Sequence, residues 1–288
     1  MSDEIRIGII GGSGLYQMDA LTHKEEIQID TPFGPTSDSI IVGNLGNQRV
    51  AFIARHGRGH VLTPTEVPYR ANIYAFKQLG VQYVLAVSAC GSLREDYAPG
   101  HIVVPDQLID FTKGKRDRTF FEDGLVAHVG AAQPFCDELR HVLADTIQAV
   151  GGTVHRSGNY ITVEGPRFST RGESELFRQW GMDIIGMTTS PEAFLAREAE
   201  ICYAVMAMVT DYDCWHEEEV TVEMVMQTMS RNLSLAQAVL VGIMPKIAAF
   251  KTAPAAHSAL QGTLTTAPNA IPAERHKTLS LFMQSLLG

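Results

Sequence analysis

The sequence predicts an α/β fold, organised as a single domain with a central mixed β-sheet and helices on both of its faces. Short apolar runs typical of buried strands, such as Ile5–Ile10 and Cys202–Thr210, alternate along the chain with segments of helical spacing, such as Pro68–Leu79. This alternation is typical of a mostly buried sheet covered on both sides. No linker-like stretch interrupts the first 250 residues, which favours one domain.

The elements of the first third follow from local signals. A glycine-rich turn ends the first strand, Gly46-Asn47 between two apolar segments is a hairpin signal, and Gly80 ends a helix that has proline in its first turn. The predicted elements are strands over Ile5–Ile10, Ser39–Leu45 and Arg49–Ala54 and a helix over Pro68–Leu79.

The remaining elements continue the alternation. Predicted strands cover Val81–Ser88, His101–Ile109, Tyr160–Val163 and Cys202–Thr210, and predicted helices cover Pro134–Val150, a segment opening at Ser190-Pro191-Glu192, and about Leu233–Ile247. Residues 1–250 are thus the predicted domain and residues 251–288 a C-terminal tail. Thr252–Pro272 is rich in Ala, Thr and Pro and is expected to wrap the surface or stay partly mobile. Ile271–Leu287 has the pattern of a short helix.

The composition disfavours several classes of protein. A net charge of −9 argues against a nucleic-acid partner. No apolar run reaches the roughly 18 residues that span a bilayer, and the acidic N-terminus enters a strand without a signal-peptide pattern. The four cysteines show no CxxC spacing, and His216–Glu219 lacks the second histidine of a zinc helix. We therefore expect a cytoplasmic protein with reduced cysteines, without a metal site and without a membrane partner.

The most informative segment is Ala204–Trp215, in which an apolar run stops on Asp211 and Asp213. If the strand continues, both carboxylates point to the same side, because strand side chains repeat with period two. Two neighbouring carboxylates at the end of a buried strand repel each other, so that one can keep its proton near neutral pH. The alternative is a strand that ends in a solvated acidic loop.

Three further strands end on groups suited to an anion. Gly11–Gly14 offers close backbone N–H groups and the Ser13 hydroxyl, Arg55 and His56 follow a second strand, and Ser88–Ser92 offers a hydroxyl in a tight turn. Ligands of open α/β sheets bind beyond the strand ends, and these groups suit phosphate. Plain turns and simple ion pairing are the alternatives for each segment alone.

A fourth strand end carries an aromatic ring. Glu164–Ser169 follows the strand Tyr160–Val163 and presents a carboxylate, the Phe168 ring and a hydroxyl. Such a ring can stack on a flat base, although a buried core phenylalanine is the default interpretation.

Taken together, these motifs resemble those of the trimeric purine nucleoside phosphorylase family. The resemblance is to the branch of that family that acts on 5′-methylthioadenosine. The motifs that carry the resemblance are Gly8–Leu15, Ala54–Gly57, Ala89–Arg94, Glu164–Ser169, Met187–Thr189 and Thr210–Trp215. The resemblance implies a nucleoside phosphorylase-like fold. It implies phosphorolysis of 5′-methylthioadenosine to adenine and 5-methylthioribose 1-phosphate, with inorganic phosphate as co-substrate and neither metal nor organic cofactor.

The resemblance also implies a role for each matching residue. The phosphate site would consist of Ser13, Arg55, His56, Ser88, Ala89 and Thr188. Met187 would lie under the ribose, Phe168 and Ser169 beside the base, and Asp211 and Asp213 against the purine N7 and 6-amino group. The 5′-alkylthio pocket would be lined by Val222, Val225 and Met226 and closed by His128 of a neighbouring subunit, which implies a homotrimer. From the pattern alone, the three apolar residues fit the core face of a helix equally well.

Three residues depart from the family pattern. Ser13 and Ser88 stand where animal members have threonine, and serine keeps the hydroxyl. Gly186 replaces an amide residue found in some members and is left out of the predicted site.

The two aspartates favour an adenine base. A carboxylate accepts a hydrogen bond from a 6-amino group but, unless it is protonated, faces a 6-oxo group lone pair to lone pair. The family resemblance implies that oxopurine branches carry asparagine in the place of Asp211, and an amide can serve a 6-oxo group. The alternatives are a phosphorylase of 6-oxopurine nucleosides, a ribohydrolase that uses water, and a non-catalytic purine-binding protein. A dinucleotide oxidoreductase is disfavoured, because the third glycine position of GxGxxG falls on Gln17.

Overall fold

One mixed β-sheet organises the chain. The structure, a computed structural model, describes residues 4–216, 220–250 and 253–288, apart from the side chains of Ser13 and Tyr16. The strands are β1 (Ile5–Gly11), β2 (Leu21–Ile27), β3 (Ile40–Leu45), β4 (Gln48–Ala54), β5 (Tyr83–Ser92), β6 (Ile102–Val103), β7 (Gln107–Phe111), β8 (Val154–His155), β9 (Asn159–Val163), β10 (Ile184–Gly186) and β11 (Cys202–Asp211). The helices are α1 (Tyr69–Gln78), α2 (Asp137–Ala149), α3 (Arg171–Gln179), α4 (Thr189–Glu198), α5 (Val222–Ala248), α6 (Ala273–Thr278) and α7 (Ser280–Leu287).

The sheet contains both parallel and antiparallel pairs, as predicted. Its main path runs β2-β3-β4-β1-β5-β10-β9-β7, and β11 pairs with both β5 and β6. The pairs β1–β4, β1–β5 and β5–β11 are parallel, whereas β10 runs antiparallel to β5. Within the described parts of the chain, no helix is long and apolar enough to cross a membrane.

Helices cover both faces of the sheet, which confirms the predicted layers. Every residue of β11 is buried, and its side chains alternate between two cores. Tyr203 and Val205 point into the core that holds Ile73 of α1, and Ala204 points into the core that holds Leu143 of α2. Because both faces are apolar, the strand appears in the sequence as a continuous apolar run.

The structure adds four strands and helices that the sequence analysis missed, namely β2, β8, β10 and α3. It also divides the predicted strand His101–Ile109 into β6 and β7. Pro105 lies between them, and proline interrupts a strand because it has no N–H to donate.

Helix α5 begins at Val222, earlier than the predicted start near Leu233. The Thr221 hydroxyl accepts a hydrogen bond from the Met224 N–H and so caps the helix. Val222 and Met226 in the first turns have helical spacing, as the sequence analysis noted, but they are exposed and do not form a core face within this chain.

The C-terminal segment packs against the domain through α6 and α7. Phe282 of α7 is fully buried and its ring lies 5.0 Å from that of Phe120, 5.9 Å from Phe121 and 6.0 Å from Tyr74, centroid to centroid. Because Tyr74 belongs to α1, this segment completes the apolar core on the α1 face.

We expect Phe282→Ala to lower the free energy of unfolding by about 3–5 kcal/mol, because the substitution leaves a cavity in a packed aromatic cluster. Urea denaturation followed by circular dichroism would measure the change. Leu281→Ala is the matched control, since the neighbouring Leu281 is 39% exposed and its loss should cost less than about 1 kcal/mol. Equal effects of the two substitutions would show that α7 does not contribute to the core.

Candidate active site

The candidate site lies where strand β5 changes partners. Residues 83–86 of β5 pair with β1, and residues 91–92 pair with β10 on the same side of the strand. Between these pairings, residues 87–90 are paired by β11 on the opposite side. The ends of β1 and β4 lie beside this gap, because the Arg55 N–H donates to the Gly11 carbonyl.

Arg55 lies in this gap and forms a buried ion pair. Its guanidinium donates from Nε and Nη2 to the two carboxylate oxygens of Glu192, at 2.7 and 2.8 Å, and from Nη1 to the Val87 carbonyl at 3.0 Å. The Tyr203 hydroxyl also donates to Glu192, at 2.6 Å. Burial disfavours the charged guanidinium, but the facing carboxylate outweighs it and raises the pKa of Arg55 above its usual range. Arg55 is therefore a permanently charged, oriented group.

His56 follows Arg55 and is neutral at physiological pH. Burial, together with the charge of Arg55, lowers the pKa of His56 to about 4. The ring lies parallel to His60 at 4.2 Å between centroids. Nδ1 contacts the Leu62 carbonyl at 2.9 Å, so Nδ1 carries the proton and Nε2 is an acceptor.

Hydroxyl groups supply the other side of the gap. The Ser88 hydroxyl, nearly buried, donates to the Ala89 carbonyl at 3.1 Å. Thr188 is buried directly before α4, and its side chain makes no capping hydrogen bond with that helix. Of the predicted phosphate residues, Arg55, Ser88 and Ala89 thus meet at one end of the sheet. The Ser13 side chain lies outside the described residues, although its backbone opens a 3₁₀ turn at the end of β1.

Asp211 and Asp213 lie together at the end of β11, but through a turn rather than a continued strand. Asp211 ends β11 opposite Gly91, and its Oδ1 accepts the Asp213 N–H at 2.9 Å. Asp213 starts a 3₁₀ turn (Asp213–Trp215) with a φ of +52°. A Cβ atom on Gly91 would lie 3.0 Å from Asp211 Oδ1, so the glycine leaves room for the carboxylate.

Both carboxyl groups are disposed to hold a proton. Burial raises the pKa of Asp211, and the charge of Asp213 raises it further. Hydrogen bonds from the Thr210 hydroxyl and the Asp213 N–H lower it by less, so the pKa remains raised. Burial also raises the pKa of Asp213, whose Oδ2 is buried without a hydrogen-bond partner among the described residues. The pair can therefore both donate and accept hydrogen bonds.

Arg116, which the sequence analysis missed, holds the loops around Met187. Its side chain is fully buried, and Nη1 donates to the carbonyls of Met187 and Ser190, at 2.6 and 2.9 Å. Nε donates to the Glu164 carboxylate at 3.0 Å and Nη2 to the Glu164 carbonyl at 2.6 Å. In the sequence Arg116 stands in the charged run Lys113–Arg118, where no local signal distinguishes it from its exposed neighbours.

Glu192 was also missed as a site residue. In the sequence Glu192 stands at a predicted helix start, where acidic residues are common, and nothing local indicates a further role. Its role depends on Arg55, which lies 137 positions away in the chain, so no local pattern could have indicated it.

The predicted ribose and base residues are half-buried. Met187 lies against Gly165, where a Cβ atom would approach its Sδ to 2.5 Å. The Ser169 carbonyl accepts from the Cys214 thiol at 2.8 Å, which ties the Phe168–Ser169 segment to the turn that holds Asp213.

The predicted 5′-pocket residues do not meet the aspartates within this chain. A cavity of about 330 Å³ borders Asp211 and Asp213, and α5 contributes Met224, Gln227, Thr228 and Arg231 to its wall. Val222 and Met226 are 67% and 64% exposed and do not border it, and neither does Val225. The backbone N–H of His128 donates to the Thr263 carbonyl in the C-terminal segment.

The residues described by the structure form no group of three or more His, Cys, Asp or Glu side chains that could hold a metal ion. Of the His216–Glu219 segment, Glu217, Glu218 and Glu219 lie outside the described residues.

Comparisons with known proteins agree on one family. The family model described as "Phosphorylase superfamily" matches residues 6–244. The chain is 51% identical to the S-methyl-5′-thioadenosine phosphorylase of Gloeobacter violaceus, covering 97% of this chain and 95% of that protein. It is 55% identical to the enzyme of the same name from Chloroflexus aurantiacus, covering 93% of each.

Solved structures give the same result. A methylthioadenosine phosphorylase from an antarctic soil metagenomic library superposes with a TM-score of 0.93 at 49% identity, covering 98% of this chain and 99% of that one. The methylthioadenosine phosphorylase of Schistosoma mansoni in complex with adenine has a TM-score of 0.82 at 34% identity, with the same coverage.

We expect Glu192→Gln to destabilise the protein strongly, because it leaves the buried Arg55 guanidinium without its counter-ion. Loss of one member of a buried ion pair typically costs about 3–5 kcal/mol, which urea denaturation would measure. The control is Asp145→Asn in the exposed ion pair with Arg156, where a change below about 1 kcal/mol is expected. A similarly small loss at Glu192 would show that the pair is not needed to keep Arg55 buried.

Proposed function

The chain belongs to the phosphorylase superfamily, and we propose that it catalyses the reversible phosphorolysis of 5′-methylthioadenosine to adenine and 5-methylthioribose 1-phosphate. One observation carries this proposal, namely the spacing of two polar clusters along β5. One cluster, here called the anion cluster, consists of Arg55, Ser88 and Ala89. The other consists of Asp211 and Asp213, and Gly91 of β5 lies opposite Asp211. Three residues of extended strand separate Ser88 from Gly91 by about 10 Å, which leaves room for a ribose between a phosphate and a purine.

The phosphate binds in the gap of β5. Three of the five Arg55 N–H groups are engaged by Glu192 and Val87, and the others donate to phosphate oxygens. The hydroxyls of Ser13, Ser88 and Thr188 and the backbone at Ala89 complete the site. His56 Nε2, an acceptor in this tautomer, binds the protonated oxygen of the phosphate.

Catalysis follows from holding phosphate and nucleoside in line. Met187 supports the ribose, so that its C1′ faces the phosphate. As the glycosidic bond stretches, the sugar gains positive charge, which the phosphate stabilises before it bonds to C1′. The departing purine gains negative charge, and a proton held by Asp211 and Asp213 stabilises it at N7. Such acid assistance typically contributes about 10²–10⁴ in rate, and positioning contributes a comparable or larger factor. The reaction needs no metal or organic cofactor.

The base site favours adenine. A carboxylate of the Asp211–Asp213 pair accepts from the 6-amino group, while Phe168 and Ser169 bind the purine ring. A 6-oxo group in this place would leave buried polar groups mispaired, which costs roughly 1–3 kcal/mol. The names of the similar enzymes and the adenine bound in the Schistosoma mansoni structure support this choice.

The 5′ side of the substrate requires a second subunit. Val222 and Met226 are exposed apolar residues, which suits a pocket that is completed by another copy of the chain. We therefore propose that Val222, Val225 and Met226 contact the methylthio group, with His128 of a neighbouring subunit closing the pocket in a homotrimer. We place this assembly in the cytoplasm, in agreement with the expected reduced cysteines.

The reaction class is tested by adenine release from 5′-methylthioadenosine with and without phosphate. We expect adenine release only with phosphate. We also expect faster turnover of 5′-methylthioadenosine than of methylthioinosine, measured in parallel. Release without phosphate would identify a hydrolase, and preference for methylthioinosine would overturn the assignment of the base site. Adenine binding without turnover would identify a purine-binding protein.

We expect Asp211→Asn to lower kcat/KM for 5′-methylthioadenosine about 10²-fold or more, since an amide cannot hold the proton that assists the departing base. The same variant should shift the preference towards methylthioinosine, whose 6-oxo group accepts from the new amide. Steady-state kinetics with both nucleosides measure the shift. Asp145→Asn, on the surface, should leave both values unchanged. Unchanged kinetics in Asp211→Asn would remove Asp211 from the base site.

A further inference from the structure

Tyr160 carries a buried hydroxyl that the proposed mechanism does not use. The residue is fully buried in β9, and its hydroxyl has no hydrogen-bond partner among the described residues. Buried polar groups without partners are rare in folded proteins, because they lose their hydrogen bonds to water without replacement. The hydroxyl therefore requires an explanation, and a phenylalanine would have filled the same core position without this cost.

The space for this hydroxyl depends on Gly186. Strand β9 pairs with β10 in parallel, with Tyr160 opposite Ile184. A Cβ atom on Gly186 would lie 2.0 Å from the Tyr160 hydroxyl oxygen and 2.8 Å from Cζ. Any side chain at this position would displace the tyrosine. Gly186 thus provides the space that the Tyr160 side chain fills. In the chain, Gly186 directly precedes Met187 and Thr188.

The Tyr160 hydroxyl neighbours the side chains of Ser88 and Thr189 and lies near the charge of Arg55. Burial raises the pKa of Tyr160 to about 12, while the neighbouring hydroxyls of Thr189 and Ser88 and the charge of Arg55 act in the opposite direction. Ser88, in turn, donates to the carbonyl of its own neighbour, Ala89, at 3.1 Å. This weak local bond occupies the proton that a phosphate oxygen would accept.

We infer that Tyr160 is a positioning residue for phosphate, whose O–H donates to Ser88 Oγ when Ser88 turns its own proton from the Ala89 carbonyl to the bound anion. Ser88 then donates to the anion and accepts from Tyr160, and the Tyr160 hydroxyl has an acceptor for its proton. Tyr160 does not touch the substrate. It orients a group that does, and Gly186 provides the space.

This inference rests on the proposed function, because it requires phosphate in the gap of β5. Wild-type enzyme is therefore assayed first for phosphate-dependent adenine release. If wild-type release does not depend on phosphate, the proposed function fails. If it does, the Tyr160 variant tests the inference alone.

We expect Tyr160→Phe to raise KM for phosphate about 3- to 10-fold, the effect of losing one neutral hydrogen bond, with KM for 5′-methylthioadenosine unchanged. Tyr74→Phe is the matched control, since its buried hydroxyl donates to Thr278 in the C-terminal segment and should affect neither constant. Equal increases in both KM values, or none, would overturn the assignment.

Two further measurements separate positioning from a structural role. With inorganic phosphate as the only ligand, the rise in unfolding temperature should be smaller for Tyr160→Phe than for wild type, while the two proteins unfold at similar temperatures without phosphate. In a Ser88→Ala background, Tyr160→Phe should cause no additional rise in KM for phosphate. An additive effect would show that Tyr160 does not act through Ser88.

Discussion

A β-strand has two edges, and β5 divides its edges among three partners. On one side β11 follows it from Tyr83 to Gly91. On the other, β1 and β10 cannot both pair along its whole length, so residues 87–90 are left between them. Backbone groups in such a gap need partners from side chains or ligands, and Arg55 supplies one to the Val87 carbonyl. The location of the site is thus a consequence of strand pairing.

Two buried arginines hold the side chains and loops around this gap through hydrogen bonds. Arg55 holds Glu192 at the start of α4, and Arg116 holds the carbonyls of Met187 and Ser190 beside the same helix. Burying a guanidinium costs free energy that its partners must offset, so neither residue is well explained as a source of stability. The burial of both arginines is better explained by what they hold in place, because they fix the loops that would contact phosphate and ribose. In the same way, the turn at Asp213 brings two carboxyl groups together where burial raises the pKa of both.

The strand ends could be predicted because their signals are local. The apolar run before Asp211 and the glycines after Ile10 indicated where polar groups leave the sheet, and Arg55 and Ser88 lie where this pattern placed them. Glu192, Arg116 and Tyr160 could not be found in this way. Each depends on a residue far away in the chain, as Glu192 does on Arg55 and the placement of the Tyr160 hydroxyl does on the space at Gly186.

Local patterns in the sequence were enough to predict the layered α/β fold, the burial of β11 and the polar residues that end the strands. These properties follow from periodicity and from the residue types next to each run. The folded chain alone shows that β5 has three partners, that Arg116 is buried while Arg118 is exposed, and that Asp213 approaches Asp211 through a turn. Such features depend on which distant segments pair, and pairing is decided by the packing of the whole chain rather than by any local pattern.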